Sequence, residues 1–146
     1  MFKTMIAVVF GAILGAGGLS LAGHDERDED DNATVRVIAE RDILEKLDGE
    51  AAKVSMIEVT HAPGAAGKPH RHSGPIFGYI LEGEYELGLD DKPAKTLKVG
   101  ETFYEPKGAL HRVGRNPDPK KPTRVLAVLL HSRDGAPPTV LEPSAK

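Results

Sequence analysis

Short β-rich runs, separated by segments that contain glycine, proline or aspartate, constrain the fold of this chain more than any other feature. From residue 54 onward these runs cover 54–60, 77–82, 84–89, 96–99, 101–104 and 125–130. None of them shows the 3.6-residue period of an amphipathic helix, and the spacing of the turn residues is typical of antiparallel sheets. The sequence therefore predicts an all-β domain, built as a sandwich or barrel.

The segments around these runs complete the expected organisation. Residues 34–38 alternate apolar and polar side chains like a half-buried strand, whereas residues 43–47 fit either a turn of helix or a loop before Gly49. Residues 116–122, with three prolines, predict a surface loop, and residues 134–146 predict a Pro-rich extended tail. The β-barrel domain is expected to span residues 34–133.

The amino-terminal segment has the pattern of an export signal. Lys3 precedes an uncharged, largely apolar run, and Ser20-Leu21-Ala22 places small residues where signal peptidase reads them. We expect residues 1–22 to be a signal peptide, cleaved after Ala22, and residues 23–33 to be a disordered acidic linker. The mature protein is then periplasmic or secreted, with no stable membrane insertion.

Composition excludes several kinds of function. The chain has no cysteine, so disulfides, thiolate ligands and a cysteine nucleophile are absent, and any metal must bind nitrogen and oxygen. The net charge is −3, which provides no positive field for nucleic acid, and aromatic residues make up 5% of the chain. We expect the partner to be a small molecule, with no nucleic acid.

Three histidines are the candidate metal ligands. His70 and His72 are separated by one residue, so on an extended segment both side chains project to the same face. His111 follows the turn-forming tripeptide Pro106-Lys107-Gly108, which can return the next strand across a barrel. Imidazole nitrogen is a common ligand for transition metals, so the three together predict a metal site.

The spacing around these histidines resembles two motifs of the cupin family. The first motif, G-x5-H-x-H-x3-E-x6-G, agrees at Gly64, His70, His72 and Gly83. The second, G-x5-P-x-G-x2-H-x3-N, agrees at Gly100, Pro106, Gly108 and His111. The resemblance implies an antiparallel jelly-roll β-barrel with three histidine ligands and, by analogy with the family, a homodimer.

Two positions depart from these motifs. Ile76 stands where the family usually has a glutamate ligand, and the terminal asparagine falls one residue late, at Asn116. The expected site is therefore a three-histidine centre with open coordination positions. Three neutral imidazoles leave a divalent ion its full charge, so it would strongly polarise a bound water or enolate oxygen.

Two further residues are candidates near this centre. Glu105, just before Pro106, is predicted to orient an imidazole or to serve as a catalytic base, the alternative being an exposed glutamate at a strand end. His61, at the end of another strand, could replace the missing fourth ligand, as could Glu105. Ile76 and Ile80 should make the rest of the wall apolar, which suits a small organic ligand.

These features support three hypotheses of function. The first is an exported, metal-dependent enzyme of the dioxygenase type, since the cupin resemblance includes oxidoreductases that use a histidine-held metal. The metal would be a divalent transition ion, and Fe, Ni, Cu, Zn and Mn all fit the ligand set. The second is a non-catalytic module that binds a small ligand or metal, and the third is a structural domain without metal.

Overall fold

The computed structural model describes residues 25–28 and 33–143, and these residues form β-strands joined by turns and loops. In chain order the strands are β1 (Asp25–Asp28), β2 (Ala33–Leu47), β3 (Glu50–His61), β4 (His70–His72), β5 (Ile76–Glu82), β6 (Glu84–Leu89), β7 (Lys95–Lys98), β8 (Thr102–Glu105), β9 (Leu110–Arg115), β10 (Thr123–Ser132) and β11 (Thr139–Leu141). The described part of the chain contains no helix long and apolar enough to cross a membrane.

Two antiparallel sheets make up the domain. The first has six strands in the order β1-β2-β3-β10-β5-β8, and the second has five in the order β11-β4-β9-β6-β7. Strands that are neighbours in sequence thus often lie in different sheets, as in a jelly roll. The all-β jelly-roll prediction is confirmed, although hydrogen bonds join the strands into two facing sheets and not into one closed ring.

Alternation along the central strands produces the core between the sheets. In β10 every second residue is buried, beginning at Thr123, and β5 buries Ile76, Gly78 and Ile80 while its other side chains face outward. The buried side chains form two contiguous apolar clusters. Phe103 packs against both and lies so close to Gly78 that a β-carbon there would clash with its ring.

The glycines of the two motifs are explained by the backbone. Gly64, Gly83, Gly100 and Gly108 all have φ between +72° and +87°, a region that other residues rarely adopt. At Gly83 a β-carbon would also lie 2.6 Å from the Pro122 carbonyl oxygen. These glycines therefore mark turns of the chain: Gly64 precedes β4, Gly83 joins β5 to β6, Gly100 lies between β7 and β8, and Gly108 precedes β9.

The segment 43–47 is neither a helical turn nor a loop, because β2 continues through it to Leu47. Asp48 and Gly49 both have positive φ, 54° and 86°, as in the two-residue turns that join long hairpins. This turn extends the pairing of β2 with β3, and Leu44 is 99% exposed on the projecting arm. The sequence pattern of residues 43–47 is ambiguous because this end of the β2–β3 hairpin buries neither face.

Part of the predicted tail is also a strand. β11 pairs with β4, with Thr139 opposite His72 and Leu141 opposite His70. Of the predicted acidic linker, residues 25–28 pair with β2. Residues 1–24, 29–32 and 144–146 lie outside the described residues, so the predicted signal peptide and the proposed domain limits stay predictions.

Candidate metal centre

The second sheet brings the three predicted ligands together. β4 pairs with β9 in a register that places His70 opposite His111, and His72 lies on the same face as His70. The turn before β9 is fixed by a hydrogen bond from the Gly108 amide to the His72 carbonyl, 2.9 Å long. One nitrogen of each of the three imidazoles lies within 4.8 Å of the others.

The rings of His70 and His72 are oriented by their outer nitrogens. His70 Nδ1 donates to the Lys68 carbonyl at 2.8 Å, and His72 Nδ1 donates to the Pro138 carbonyl at 3.2 Å. Because a carbonyl oxygen can only accept, each Nε2 is left with a lone pair that points inward. The two Nε2 atoms are 3.1 Å apart, so a proton or a cation is needed between them.

His111 and Glu105 close the site from the other side. Glu105 is 2% exposed, and its Oε1 lies 3.4 Å from His111 Nδ1 while its Oε2 lies 3.7 Å from His72 Nε2. Neither His111 Nδ1 nor Glu105 Oε2 has a hydrogen-bond partner. His111 Nε2 is 3.3 Å from the hydroxyl of Tyr85. Glu105 is thus part of this site and not an exposed strand-end residue.

Burial sets the protonation of these groups. It lowers the pKa of His72 to about 4 and that of His111 to about 3, and the neighbouring His70 lowers both further. Burial raises the pKa of Glu105 to about 7. Burial also raises the pKa of Tyr85. Near neutral pH, therefore, His72 and His111 are neutral, which is the form that binds metal.

A cavity of about 190 Å³ lies against this cluster, between the two sheets. Most of its wall is apolar and comes from the first sheet, including Ile57, Val125, Leu129 and Phe103. Ile76, the residue at the motif's glutamate position, lines the cavity, whereas Ile80 is fully buried in the core. The predicted apolar wall is present, with Phe103 in place of Ile80.

His61 lines the same cavity from the first sheet, but it is not one of the three clustered histidines. Its ring is 5.4 Å from that of Tyr85, centroid to centroid. Sequence reasoning missed Tyr85 and Thr139, which line the cavity and contact His111 and His72. No motif marks Tyr85, and the Pro-rich tail around Thr139 resembled an unstructured end.

The fold and the site together define a jelly-roll protein with a histidine cluster between its sheets, and comparisons with known proteins agree. The family model of the cupin domain matches residues 57–129, half of the chain. The chain belongs to the cupin family.

Curated relatives of the chain include plant germin-like proteins. It is 36% identical over 90 residues to germin-like protein subfamily 2 member 2 of Arabidopsis thaliana, which covers 58% of the chain and 40% of the relative. The chain thus spans less than half the length of that relative.

Solved structures of similar fold include two oxalate-metabolising enzymes. Oxalate oxidase in complex with the substrate analogue glycolate has a TM-score of 0.56 and 23% identity, over 90% of this chain and 62% of the other. Oxalate decarboxylase from Bacillus subtilis has a TM-score of 0.61 and 18% identity, over 82% and 30% of the two chains. At these identities the likeness shows the fold alone.

Proposed function

We propose that this protein is a metal-dependent oxidoreductase of the dioxygenase type, in which His70, His72 and His111 hold one divalent transition metal. The observation that carries the proposal is the pair of inward Nε2 lone pairs 3.1 Å apart. Their repulsion is relieved by a shared cation, and the outer hydrogen bonds of both rings already fix them in the metal-binding tautomer.

Residues of the chain would prepare the site for a small organic substrate. The bound metal would supply Lewis-acid polarisation and the redox chemistry with dioxygen. The apolar wall formed by Ile57, Ile76, Phe103 and Leu129 would offer the body of the substrate apolar contacts beside the histidines. Glu105 lies close to His72 and His111, and we assign it to the metal centre.

The size and lining of the cavity suggest the kind of substrate. A volume of about 190 Å³ is small for a ligand pocket, and the wall opposite the histidines offers apolar contacts. A substrate with a metal-chelating oxygen at one end and a short apolar body fits a cavity with histidines on one side and apolar side chains on the other.

Metal analysis tests the site itself. We expect about one equivalent of a single transition metal, among Fe, Ni, Cu, Zn and Mn, in the protein purified from its native compartment, and its loss in His111→Ala. His131→Gln is the matched control, because His131 is buried among Ser55 and Ser132 outside the cluster. A metal content that is the same in His111→Ala and the parent would contradict the site.

Oxygen uptake tests the reaction. Metal-free protein is reconstituted with each of the five metals and assayed with diketones, catechols and flavonols in an oxygen electrode. We expect uptake with at least one combination, and its loss in His70→Ala. Stoichiometric metal with no uptake under any combination would instead identify a non-catalytic binding module.

We also propose that the protein is exported. The support is the amino-terminal sequence, with Lys3, its apolar run and the small residues Ser20 and Ala22. Intact-mass analysis of the protein from its native host should show a chain that begins at Gly23. A full-length chain in the cytoplasmic fraction would contradict export.

A further inference from the structure

The buried carboxylate of Glu105 and the apolar residue Ile76 are direct neighbours across two strands. β5 pairs with β8 in a register that places Ile76 opposite Glu105. Residues opposite each other in an antiparallel pair project to the same face, with β-carbons about 5 Å apart. A carboxylate from Glu105 therefore reaches nearly the same space as one carried at position 76.

The surroundings of Glu105 point to a cation. The residue is 2% exposed, its Oε2 has no hydrogen-bond partner, and no arginine or lysine forms an ion pair with it among the described residues. A buried carboxylate oxygen without a partner is costly. Its two oxygens face His111 Nδ1 at 3.4 Å and His72 Nε2 at 3.7 Å, and both of these belong to the predicted ligands.

The distances place Glu105 at the border of a coordination sphere that includes the histidines. Ligand atoms bound about 2.1 Å from the same ion stand about 3.0–3.4 Å apart when they are adjacent. The pair His70 Nε2 and His72 Nε2 is at 3.1 Å, and the two contacts of Glu105 are at 3.4 and 3.7 Å. The Oε1 contact with His111 Nδ1 thus lies at the upper end of this range and the Oε2 contact with His72 Nε2 a few tenths of an ångström beyond it, so a small shift of the side chain would bring Glu105 to a ligand's distance.

We propose that Glu105 is the fourth protein ligand of the metal, so that the carboxylate of the site comes from β8 in place of β5. This inference rests on the proposed metal centre and adds a ligand to it. It also changes the chemistry, because a bound carboxylate offsets part of the charge of the ion and is no free base. The centre is then three histidines and one carboxylate, with Ile76 as part of the apolar wall.

Metal affinity and the visible spectrum of the Co(II)-substituted protein test the inference without an activity assay. Glu105→Gln keeps the shape and one acceptor oxygen but loses the charge, and we expect Co(II) affinity to fall about 100-fold with a changed d–d absorption. Glu84→Gln, an exposed glutamate on β6, is the matched control and should match the parent. Thermal unfolding of the metal-free forms verifies that each variant folds.

A relocated carboxylate provides the second test. In the double variant Ile76→Glu with Glu105→Ile, the carboxylate moves to the opposite position of the same register pair. We expect this variant to regain most of the Co(II) affinity that the single variant Glu105→Ile loses.

Each outcome separates the two proposals. If the parent binds no Co(II), the proposed metal centre itself is wrong. If the parent binds Co(II) and Glu105→Gln matches it in affinity and spectrum, the centre stands and the ligand assignment is overturned. Weaker binding with an unchanged spectrum, or no recovery in a folded double variant, would make Glu105 a positioning residue and likewise overturn the assignment.

Discussion

Single buried polar residues hold the loops around the metal centre. Asn116 is 1% exposed, and its side-chain amide donates to the carbonyls of Ala62 and Lys121 at 3.0 and 2.7 Å while its oxygen accepts from the Asp118 amide at 2.9 Å. One side chain thus joins the end of β3, the end of β9 and the loop before β10. Asn116, which stands one residue after the asparagine position of the second motif, therefore has a structural role.

Removal of this side chain should destabilise the fold without removing the metal. In Asn116→Ala the buried carbonyls lose their donors, so we expect the free energy of unfolding to fall by about 2–4 kcal/mol. Denaturant unfolding measures this loss, and metal analysis should still give the metal content of the parent. A variant as stable as the parent would show that water replaces the amide.

Glu58 should make stability depend on pH. Hydrogen bonds from Arg124, and then from Arg36, lower the pKa of this carboxyl, whose side chain is 11% exposed. Its contribution is therefore complete above the usual pKa of 4.5 and disappears as the pH falls through the lower value of the folded protein. At pH 7 we expect Glu58→Gln to cost about 1–2 kcal/mol.

Denaturant unfolding across the acid range measures this effect. The difference between the parent and Glu58→Gln should shrink below about pH 4.5, where the parent carboxyl takes up its proton. Glu82→Gln is the control, because the side chain of Glu82 is 48% exposed and its contact with Arg124 is 3.4 Å long. A difference that stays constant into strong acid would contradict the role assigned to the Glu58 charge.

Among the elements, β11 has the most direct effect on the site. It pairs with β4 and supplies two outer partners of His72 Nδ1, the Pro138 carbonyl at 3.2 Å and the Thr139 hydroxyl at 3.1 Å. Arg71 on β4 binds Glu142 and the Gly108 carbonyl, which joins this strand to the turn before β9. The short edge strand therefore fixes the orientation of a predicted ligand.

The hydroxyl of Thr139 should tune metal affinity. Thr139→Val keeps the shape but removes one outer partner of His72, and loss of such partners typically costs about 10–100-fold in affinity. We expect weaker Co(II) binding in a chelator competition, with recovery in Thr139→Ser. Val140→Ala, on the same strand with an exposed side chain, should bind like the parent. Equal affinity in all three variants would remove Thr139 from the site.

At the scale of the whole molecule, the first sheet has an exposed aromatic surface at its edge. Phe77 on β5 and Tyr104 on β8 are 56% and 52% exposed, with ring centroids 5.2 Å apart. β8 is the last strand of its sheet, so its outer backbone edge can pair with another strand. An edge of this kind can pair with the same edge of a second copy across a two-fold axis.

We therefore predict a homodimer that forms through β8. Light scattering should give twice the mass of the chain for the parent and a monomer for Tyr104→Lys, because a charge at this position opposes burial of the edge. Leu44→Lys is the control, since Leu44 is exposed far from this edge on the β2–β3 arm. A monomeric parent would contradict the prediction.

The fold class and the cluster of three histidines could be predicted from the sequence, because both are marked by local signals with short spacings. The β-rich runs, the motif glycines with positive φ and the His70-x-His72 pair are each recognisable within a few residues. Contacts between distant segments left no such signal. The pairing of Ile76 with Glu105 and that of Thr139 with His72 follow from strand register, which the sequence does not show on its own.

The position of β11 along the chain has a consequence for biosynthesis. It is the last described strand, so the partners of His72 Nδ1 are made after all three histidines. A nascent chain therefore presents His70, His72 and His111 to surrounding ions before their orientation is fixed. If the site holds a metal as proposed, its full affinity would be reached only after β11 has paired with β4, so completion of the fold and metal binding would be coupled.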